Sequence, residues 1–455
     1  MSTATKARTG SRWIQEWDPE DVSFWERTGK KIANRNLIFS IFSEHIGFSI
    51  WSLWSVMVLF MGKPYGIDPA GKFFLVAMPT LVGAFVRIPY TVAVARFGGR
   101  NWTVVAALLL LVPAIAGAYV MHPGTSYTTF MVVAALTGVG GGNFASSMTN
   151  INAYFPMRRK GWALGLNAGG GNIGVPVLQL VALAVITWAG ADSPRLVLGI
   201  YIPLIVVSAT CAALFMDNLA PMKADTGSLA AIVREKHTWL MSVLYIGTFG
   251  SFIGFSFAFG LVLQNQFGRT PLQAAQLTFI GPLLGSLIRP VGGWLADRWG
   301  GARITFWNFV TMAAAAGLVT YASSVKSLPV FLAGFIGLFV FAGIGNGSTY
   351  KMIPGIFDAK AQDRIAAGES AEDAAAWSRK MSGAAIGVIG AVGALGGLFI
   401  NLAFRQSFLV AKSGTPAFVS FLAAYAVCFV LTGVVYLRRP TAAPAAERTP
   451  ALARV

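Results

Sequence analysis

Two arginines, Arg87 and Arg289, stand inside long apolar stretches of the chain, where a permanent charge is unexpected. An arginine near the middle of a membrane-spanning helix costs at least about 2.5–3.5 kcal/mol, so such a residue marks a functional position. Its guanidinium is planar and presents paired donors, which suits a flat oxyanion better than a lysine ammonium does. The two residues therefore predict a shared site for a small planar anion. The alternative is that both side chains extend along their helices to the membrane surface.

Three further ionisable residues lie within apolar stretches, and they are the candidates for proton transfer. Glu44 and His45 are adjacent, so they project about 100° apart on a helix and cannot both face the same side of it. Lys351 stands six residues from the end of its stretch, where it could pair with Glu44 or reach the surface. Because intramembrane ionisable groups mark function, we expect one of them to carry a proton; a purely structural pair is the alternative.

These residues must be positioned by membrane-spanning helices. The chain has 455 residues, of which 55% are hydrophobic and only 12% are charged, whereas soluble domains carry about 25% charged residues. A hydrocarbon core of about 30 Å needs about 20 apolar residues of helix. The composition therefore excludes an ordinary cytosolic enzyme and predicts an all-α polytopic membrane protein. Twelve suitable stretches are present, at about 37–61, 73–95, 102–122, 128–154, 162–189, 196–216, 239–264, 272–296, 304–324, 329–357, 380–404 and 416–437.

The basic residues predict the orientation of these stretches. With the N-terminus inside, 25 of the 35 Lys and Arg residues fall in inner segments and 7 in outer loops. This bias fits the positive-inside rule and predicts that both termini are cytoplasmic. The basic residues are spread between apolar stretches, so the net charge of +17 does not indicate a nucleic-acid partner. Near the N-terminus, Asp18-Pro19-Glu20-Asp21 predicts the start of a short interfacial helix with Asp18 as its N-cap.

The two halves of the chain repeat each other. The run Gly83-Ala84-Phe85-Val86-Arg87 is matched 202 residues later by Gly285-Ser286-Leu287-Ile288-Arg289. Duplicated six-helix halves are typical of transporters whose site lies at the repeat interface near the bilayer midplane. We therefore expect two six-helix bundles, with the chain divided into 1–36 (cytoplasmic N-terminal segment), 37–216 (first bundle), 217–238 (cytoplasmic linker), 239–437 (second bundle) and 438–455 (cytoplasmic tail).

Motifs for other chemistry are weak. The run Gly169-x-Gly171-x-x-Gly174 formally matches a dinucleotide fingerprint, but it lies in an apolar helix with no preceding strand. Cys211 and Cys428 both lie in apolar stretches without metal-binding spacing. We therefore expect no enzyme activity, no cofactor and no metal site.

Several motifs resemble those of one known family. The glycine pairs with basic residues after the second and eighth stretches resemble the loop motif of the major facilitator superfamily. The run from Gly142 to Met148, the run Gly169-Gly170-Gly171-Asn172-Ile173-Gly174 and the glycine-rich run from Gly383 to Gly397 are similar to signatures of its nitrate/nitrite porter family. The runs Trp17 to Asp21 and Leu244 to Phe252 are similar too. The resemblance covers nearly the whole chain and implies the twelve-helix major facilitator fold.

The resemblance also implies roles for individual residues. Arg87 and Arg289 would clamp a planar anion, Asn172 and Tyr245 would donate hydrogen bonds to it, and Phe144 would pack against its face. For Phe144 and Tyr245, ordinary helix packing is the alternative. Residues that would serve as signature or conformational positions are Gly142, Asn143, Gly171, Gly345 and Asn346. For Asn143 and Asn346, the alternative is a hydrogen bond between helices.

The function that follows is secondary active transport of nitrate and nitrite, with nitrate/proton symport favoured over nitrate/nitrite antiport. A facilitator for another small organic anion is a further alternative. We expect a monomer in the bacterial inner membrane, surrounded by lipid, with nitrate, nitrite and protons as its partners.

Overall fold

The computed structural model describes residues 12–220 and 226–437. In those residues, twelve helices are long and apolar enough to cross a membrane, which is the number that the sequence predicts. We number them α1 to α12 in chain order: Val22–Phe60, Pro69–Phe97, Gly99–Val120, Tyr127–Tyr154, Met157–Ala189, Pro194–Phe215, Lys236–Phe267, Pro271–Trp299, Gly301–Ser324, Leu328–Ala366, Ala371–Ala411 and Thr415–Leu437. A short linker helix, Thr226–Val233, precedes α7.

Capping hydrogen bonds and glycines with positive φ determine where the helices begin and end. The Thr270 hydroxyl and the Gln273 side chain cap each other's backbone N–H groups at the start of α8, and Pro271 occupies its first turn. Gly98 ends α2 with φ 87°, and Gly300 ends α8 with φ 88°. L-residues with a side chain rarely adopt such positive φ values. The two glycines are 202 residues apart, so the internal repeat extends to the backbone conformation.

The N-terminal segment differs from the sequence prediction. Helix begins at Val22 with Asp21 as its N-cap, because the Asp21 side chain accepts hydrogen bonds from the backbone N–H groups of Ser23 and Phe24. This helix is the first part of α1, so no separate interfacial helix forms in the described residues, and Asp18 is not the cap. Upstream, β1 (Trp13–Ile14) pairs in parallel with β2 (Asn218–Leu219) and so joins the start of the chain to the end of α6.

The α2–α3, α4–α5, α8–α9 and α10–α11 connections lie at one end of the helices. We call it the basic end because most of the Lys and Arg residues in the described parts of the chain are there. At the opposite end the two halves pack tightly. Phe73 of α2 stacks on Phe404 and Phe408 of α11, with ring centroids 5.3 and 5.2 Å apart. The amide of Gln179 in α5 donates to the carbonyl oxygen of Ser256 in α7 at 3.0 Å. These contacts close the opposite end.

Candidate functional site

Arg87 lies in α2 with only 1% of its surface exposed. Its Nε donates to the carbonyl oxygen of Gly141 at 3.1 Å, and its Nη1 donates to that of Gly390 at 2.6 Å. Gly141 belongs to α4 and Gly390 to α11, so the side chain bridges the two halves of the fold. Its Nη2 has no hydrogen-bond partner among the described residues. One charged donor therefore remains available at the centre of the protein.

Arg289 occupies the equivalent position in α8 and is 6% exposed. Its Nη2 donates to the hydroxyl of Tyr245 at 3.4 Å, and its guanidinium carbon lies 5.7 Å from the ring centre of Tyr350. Its Nη1, like the Nη2 of Arg87, has no partner in the part of the chain that the structure describes. Both arginines point inward, so neither reaches the membrane surface as the alternative interpretation required. The repeat has brought two buried guanidiniums together, each with one unused nitrogen.

Aromatic rings connect the two arginines. The guanidinium of Arg87 lies 4.8 Å from the ring centre of Phe144 and 5.1 Å from that of Phe249. Phe249 stacks on Phe144 at 6.1 Å and on Tyr245 at 5.2 Å, with an interplanar angle of 11° in the second pair. Flat ring faces beside paired N–H donors form a slot whose shape suits a planar oxyanion.

A cavity of about 290 Å³ leads from this slot toward the basic end. Arg87, Phe144 and Tyr350 line its inner part, while Arg379 and Lys380 of α11 lie at its mouth. Among the residues that line it there is no Asp or Glu. The cavity is therefore positive along its length and is suited to anions rather than cations.

Asn172, the other expected hydrogen-bond donor, is completely buried at the end of the first part of α5. Its amide nitrogen and oxygen have no hydrogen-bond partner within the described residues, and it does not line the cavity. The structure thus brings Arg87, Arg289, Tyr245 and Phe144 into one cluster. Asn172 makes no hydrogen bond to these four residues, and its amide is buried without a partner among the described residues.

Asn143 and Asn346 occupy matching positions of α4 and α10. Both amides are buried, at 3% and 1% exposure, and neither has a hydrogen-bond partner in the described parts of the chain. The hydrogen bonds between helices that were the alternative for these residues are therefore not formed in this conformation. Asn143 instead packs on Gly47 of α1, where an added Cβ would lie 2.6 Å from the amide nitrogen.

The signature glycines allow close contacts between helices. A Cβ at Gly142 would lie 2.6 Å from Cδ1 of Tyr90, and one at Gly345 would lie 2.5 Å from Cγ2 of Thr248. Real Cβ atoms essentially never approach so closely, so these positions tolerate no side chain without local movement. The two glycines hold α4 against α2 and α10 against α7, the helices that carry the slot residues.

Glu44 is fully buried in α1. Its Oε2 accepts hydrogen bonds from the Ser147 hydroxyl and, at 2.6 Å, from the Asn167 amide nitrogen. Its Oε1 has no partner among the residues described. Gly171 packs directly on this carboxyl, and an added Cβ would overlap it. All the direct partners of Glu44 are neutral.

His45 and Lys351 are not partners of Glu44. The Nδ1 of His45 lies 3.3 Å from the carbonyl oxygen of Gly170, and Lys351 forms an ion pair with Asp297 at 2.9 Å. Both members of that ion pair are about half exposed at the basic end. Of the two possibilities for Lys351, the structure therefore shows the one in which it reaches the surface, and the pair with Glu44 is not formed.

Sequence reasoning missed Phe249 and Tyr350, which belong to the slot. Phe249 follows Tyr245 by four residues, and Tyr350 follows Asn346 by four residues. Residues four apart share a helix face, so each lies on the same side as a residue that the sequence did single out. That spacing was the signal that could have identified them.

Comparison with known proteins identifies the relatives of this chain. The family model for the Major Facilitator Superfamily matches residues 37–369. A nitrate/nitrite transporter, NarU, of Salmonella typhimurium is 39% identical over 94% of this chain and 96% of its own length. NarU of Escherichia coli strain K12 is 38% identical over 96% of this chain and 99% of its own.

A more distant relative and one solved structure are also similar to this chain. A probable nitrate/nitrite antiporter, NarK2, of Thermus thermophilus is 31% identical over 95% of this chain and 98% of its own. The crystal structure of a D-xylose-proton symporter has a TM-score of 0.60 at 16% identity, covering 90% of this chain and 97% of that one. At that identity the likeness shows a shared fold and nothing about the substrate.

Proposed function

Because this chain belongs to the major facilitator superfamily, and within it to the family of bacterial nitrate/nitrite transporters, we propose that it carries nitrate and nitrite across a membrane by alternating access. The observation that carries the proposal is the pair of unused guanidinium nitrogens, one on Arg87 and one on Arg289, beside stacked aromatic rings. Nitrate is flat and has acceptor oxygens around its edge, which matches donors at the edge of a slot with flat walls.

The electrostatics of the site favour an anion. Two buried guanidiniums meet no carboxylate in direct contact among the described residues, so the slot carries surplus positive charge. One nitrate or nitrite compensates part of that charge and satisfies both unused donors. Buried charged groups without partners are costly, so anion binding relieves a cost that exists in the unliganded slot.

The arrangement also fits one step of an alternating-access cycle. The slot is connected to the basic end by the cavity, whereas Phe73, Phe404 and Phe408 close the opposite end. If the basic end faces the cytoplasm, as the positive-inside rule predicts, this is an inward-open conformation. Transport then requires α2 and α11 to separate at the closed end while the slot closes toward the basic end.

For coupling, we favour symport with a proton carried by Glu44. A fully buried carboxyl group with only neutral direct partners is suited to change its protonation state. No charged group contacts it and holds it in the ionised form. Antiport of nitrate against nitrite is the second candidate, because one relative carries the name of a probable antiporter. A transporter of larger organic anions is disfavoured, since four aromatic rings enclose the slot.

We further propose that the protein acts as a monomer in the bacterial inner membrane, with both termini in the cytoplasm. It transports its substrates without chemical change. The internal repeat supports the monomer, because one chain supplies both halves of the slot.

The experiment is nitrate uptake into proteoliposomes that contain the purified full-length protein, driven by an inward proton gradient alone or by trapped nitrite alone. Uptake with the proton gradient, abolished by a protonophore, is expected for symport. Uptake only with trapped nitrite would establish antiport and overturn the role of Glu44. Absence of nitrate uptake under both conditions, while acetate or lactate is taken up, would overturn the assignment of the substrate.

A further inference from the structure

A column of polar residues is buried where α1, α3 and α4 meet, within the first half of the fold. On α1 it consists of Glu44, Ser40 and Asn36, which are four residues apart and share one helix face. On α4 it consists of Asn143, Ser146, Ser147, Asn150 and Tyr154. All of these residues are buried. We call this set the polar seam.

The polar seam ends at Asp217, near the basic end. The Asn36 amide nitrogen donates to the Asp217 carboxylate at 3.0 Å, and the Tyr154 hydroxyl donates to the Asp217 carbonyl oxygen at 2.8 Å. Arg12 and Arg35 form ion pairs with the same carboxylate and are partly exposed. The seam therefore reaches from the fully buried Glu44 to groups that contact solvent. From Asn36 to Glu44 is eight residues, about 12 Å along the helix.

The seam and the anion cavity lie on opposite faces of α4. The cavity is lined by Phe144, Ala145, Met148, Thr149 and Asn152. At about 100° per residue, the centre of that face is about 180° from the centre of the seam face. A whole helix therefore separates the carboxyl of Glu44 from the cavity that leads to the arginines.

The seam contains a site with the size and chemistry for water. A cavity of about 10 Å³ lies beside Glu44 and is lined by Ser40, Asn143 and Ser147 together with Ser43, Thr103, Ala106 and Ser146. Four side-chain atoms around it have no partner within the described protein: Oε1 of Glu44, Oγ of Ser40, and both amide atoms of Asn143. Asn150, further along the seam, has two more.

Buried polar groups are nearly always hydrogen-bonded, and a polar cavity of this size holds one water molecule. We propose that the polar seam binds water and delivers protons between the basic end and Glu44 by a route separate from the anion cavity. The inference rests on the proton symport proposed above.

In the proton step, a water molecule of the seam gives a proton to the Glu44 carboxylate. An O–H bond forms at Oε1 and one breaks at the water, which regains a proton from the next water toward the basic end. Release is the reverse. No oxidant or reductant takes part.

The charged groups around this step are few. Arg87 of α2 and Arg289 of α8 act on Glu44 through space, and neither contacts it. From the elements packed on α1 near Glu44, the groups in contact are the neutral Ser147 and Asn167. The neighbouring His45 faces the carbonyl oxygen of Gly170. At the far end of the seam, Arg12 and Arg35 hold Asp217.

The seam also borders α5, the helix that carries Asn172. Gly171 packs on the Glu44 carboxyl, and the next residue is Asn172, whose amide is buried and unused. A change of charge on Glu44 acts first on this part of α5. The backbone of α5 is interrupted at Ile173, between its two helical parts Met157–Asn172 and Gly174–Ala189, which provides a place for that movement.

The test uses full-length protein in proteoliposomes with two assays, nitrate uptake driven by a proton gradient and exchange of nitrate for nitrite at equal pH. The variants are Ser40→Ala and Asn150→Leu, which remove polar atoms from the seam with little change in volume. The control is Ser55→Ala, which removes a buried hydroxyl that also has no partner in the described chain but lies toward the closed end. We expect the rate of proton-driven uptake to be about tenfold lower in the two seam variants. A tenfold lower rate corresponds to an activation barrier for proton transfer that is higher by about 1.4 kcal/mol. Their exchange, which needs no net proton transfer, should stay within twofold of wild type.

The outcomes separate this inference from the proposed function. Seam variants with normal proton-driven uptake, or with equal loss in both assays, would overturn the separate route. Wild-type protein that exchanges nitrate for nitrite but shows no proton-driven uptake would also overturn it, while leaving nitrate transport intact. Wild-type protein inactive in both assays would overturn the proposed function itself.

Discussion

The Nη1 of Arg87 donates a hydrogen bond to the carbonyl oxygen of Gly390 at 2.6 Å, and this bond joins α2 in the first half to α11 in the second. The same guanidinium holds α4 through Gly141. Under the proposed function, the anion binds Nη2 of this guanidinium, which has no partner among the described residues, while Nε and Nη1 hold helices of both halves. Binding and the relative movement of the halves are therefore linked through one side chain.

Replacing either arginine by lysine should weaken anion binding strongly. Lysine keeps the charge but has a single ammonium in place of the planar fork. Hydrogen bonds to charged groups contribute about 1.5–3 kcal/mol, so Arg87→Lys or Arg289→Lys should raise the KM for nitrate by about tenfold to a hundredfold. The measurement is the concentration dependence of nitrate uptake. Arg303→Lys, at an exposed position at the start of α9, is the matched control; an unchanged KM in both site variants would refute recognition by paired donors.

Tyr350→Phe should reduce nitrate affinity although the sequence motifs did not single this residue out. Tyr350 lines the cavity, and its hydroxyl has no hydrogen-bond partner in the described residues, so it is able to donate to the anion. One neutral hydrogen bond contributes about 0.5–1.5 kcal/mol, which predicts a rise in KM of about two- to tenfold. Tyr321→Phe, on the exposed surface of α9, should have no effect. Equal KM values for the two variants would remove Tyr350 from the site.

Gly393→Ala should damage the slot without removing any of its polar groups. A Cβ at this position would overlap the ring of Tyr245, which must then move away from Arg289. We expect a higher KM for nitrate and normal amounts of protein in the membrane. At Gly317, in α9, a Cβ meets nothing within 4 Å, so Gly317→Ala serves as the control. Wild-type kinetics in Gly393→Ala would show that the position of Tyr245 does not matter for binding.

Glu44→Gln should separate exchange from proton-driven uptake. The amide fills the same volume and can still accept hydrogen bonds from Ser147 and Asn167, but it cannot exchange a proton. Proton-driven nitrate uptake should fall to background, while nitrate/nitrite exchange persists. Glu372→Gln, in an exposed position at the start of α11, controls for the change of charge. Persistence of proton-driven uptake in Glu44→Gln would exclude Glu44 as the carrier.

The linker helix should be held to the second half by a pH-dependent contact. Lys360 forms an ion pair with Glu235 at 2.6 Å. Burial raises the pKa of Glu235, but its contacts with Lys360 and the backbone of His237 outweigh this, so its pKa lies below the usual 4.5. A lowered pKa means that the stabilisation is complete above the usual value and is lost as the pH falls through the lowered one.

Hydrogen exchange of residues 226–233 measures this contact. After correction for the intrinsic exchange rate at each pH, the protection of these amides should be high at pH 7 and should fall as the pH drops through the lowered pKa of Glu235. Glu235→Gln should exchange fast at both pH values, and Glu369→Gln, which affects a different ion pair, should behave like wild type. Slow exchange in Glu235→Gln at pH 7 would show that the ion pair does not hold the linker helix.

The sequence alone was sufficient for the twelve helices, for the repeat and for the two arginines at its centre. Spans are set by the local length of apolar runs, and an arginine inside such a run is visible without knowledge of any neighbour. The spacing of 202 residues between Arg87 and Arg289 required only a comparison of the chain with itself. The same local reasoning erred by three residues at the first helix, because Asp18 and Asp21 are both good N-caps and only the folded backbone selects Asp21.

Only the tertiary structure decided which polar residues meet. Glu44 contacts Ser147 and Asn167, more than a hundred residues away, and Lys351 pairs with Asp297 instead of Glu44. The separation of the anion cavity from the polar seam by α4 likewise depends on how three helices pack. In a sequence of apolar helices many polar pairings are equally compatible with the spacing. The choice among them is made by close packing at glycines such as Gly171 and Gly142, which sets the rotation and depth of each helix against its neighbours.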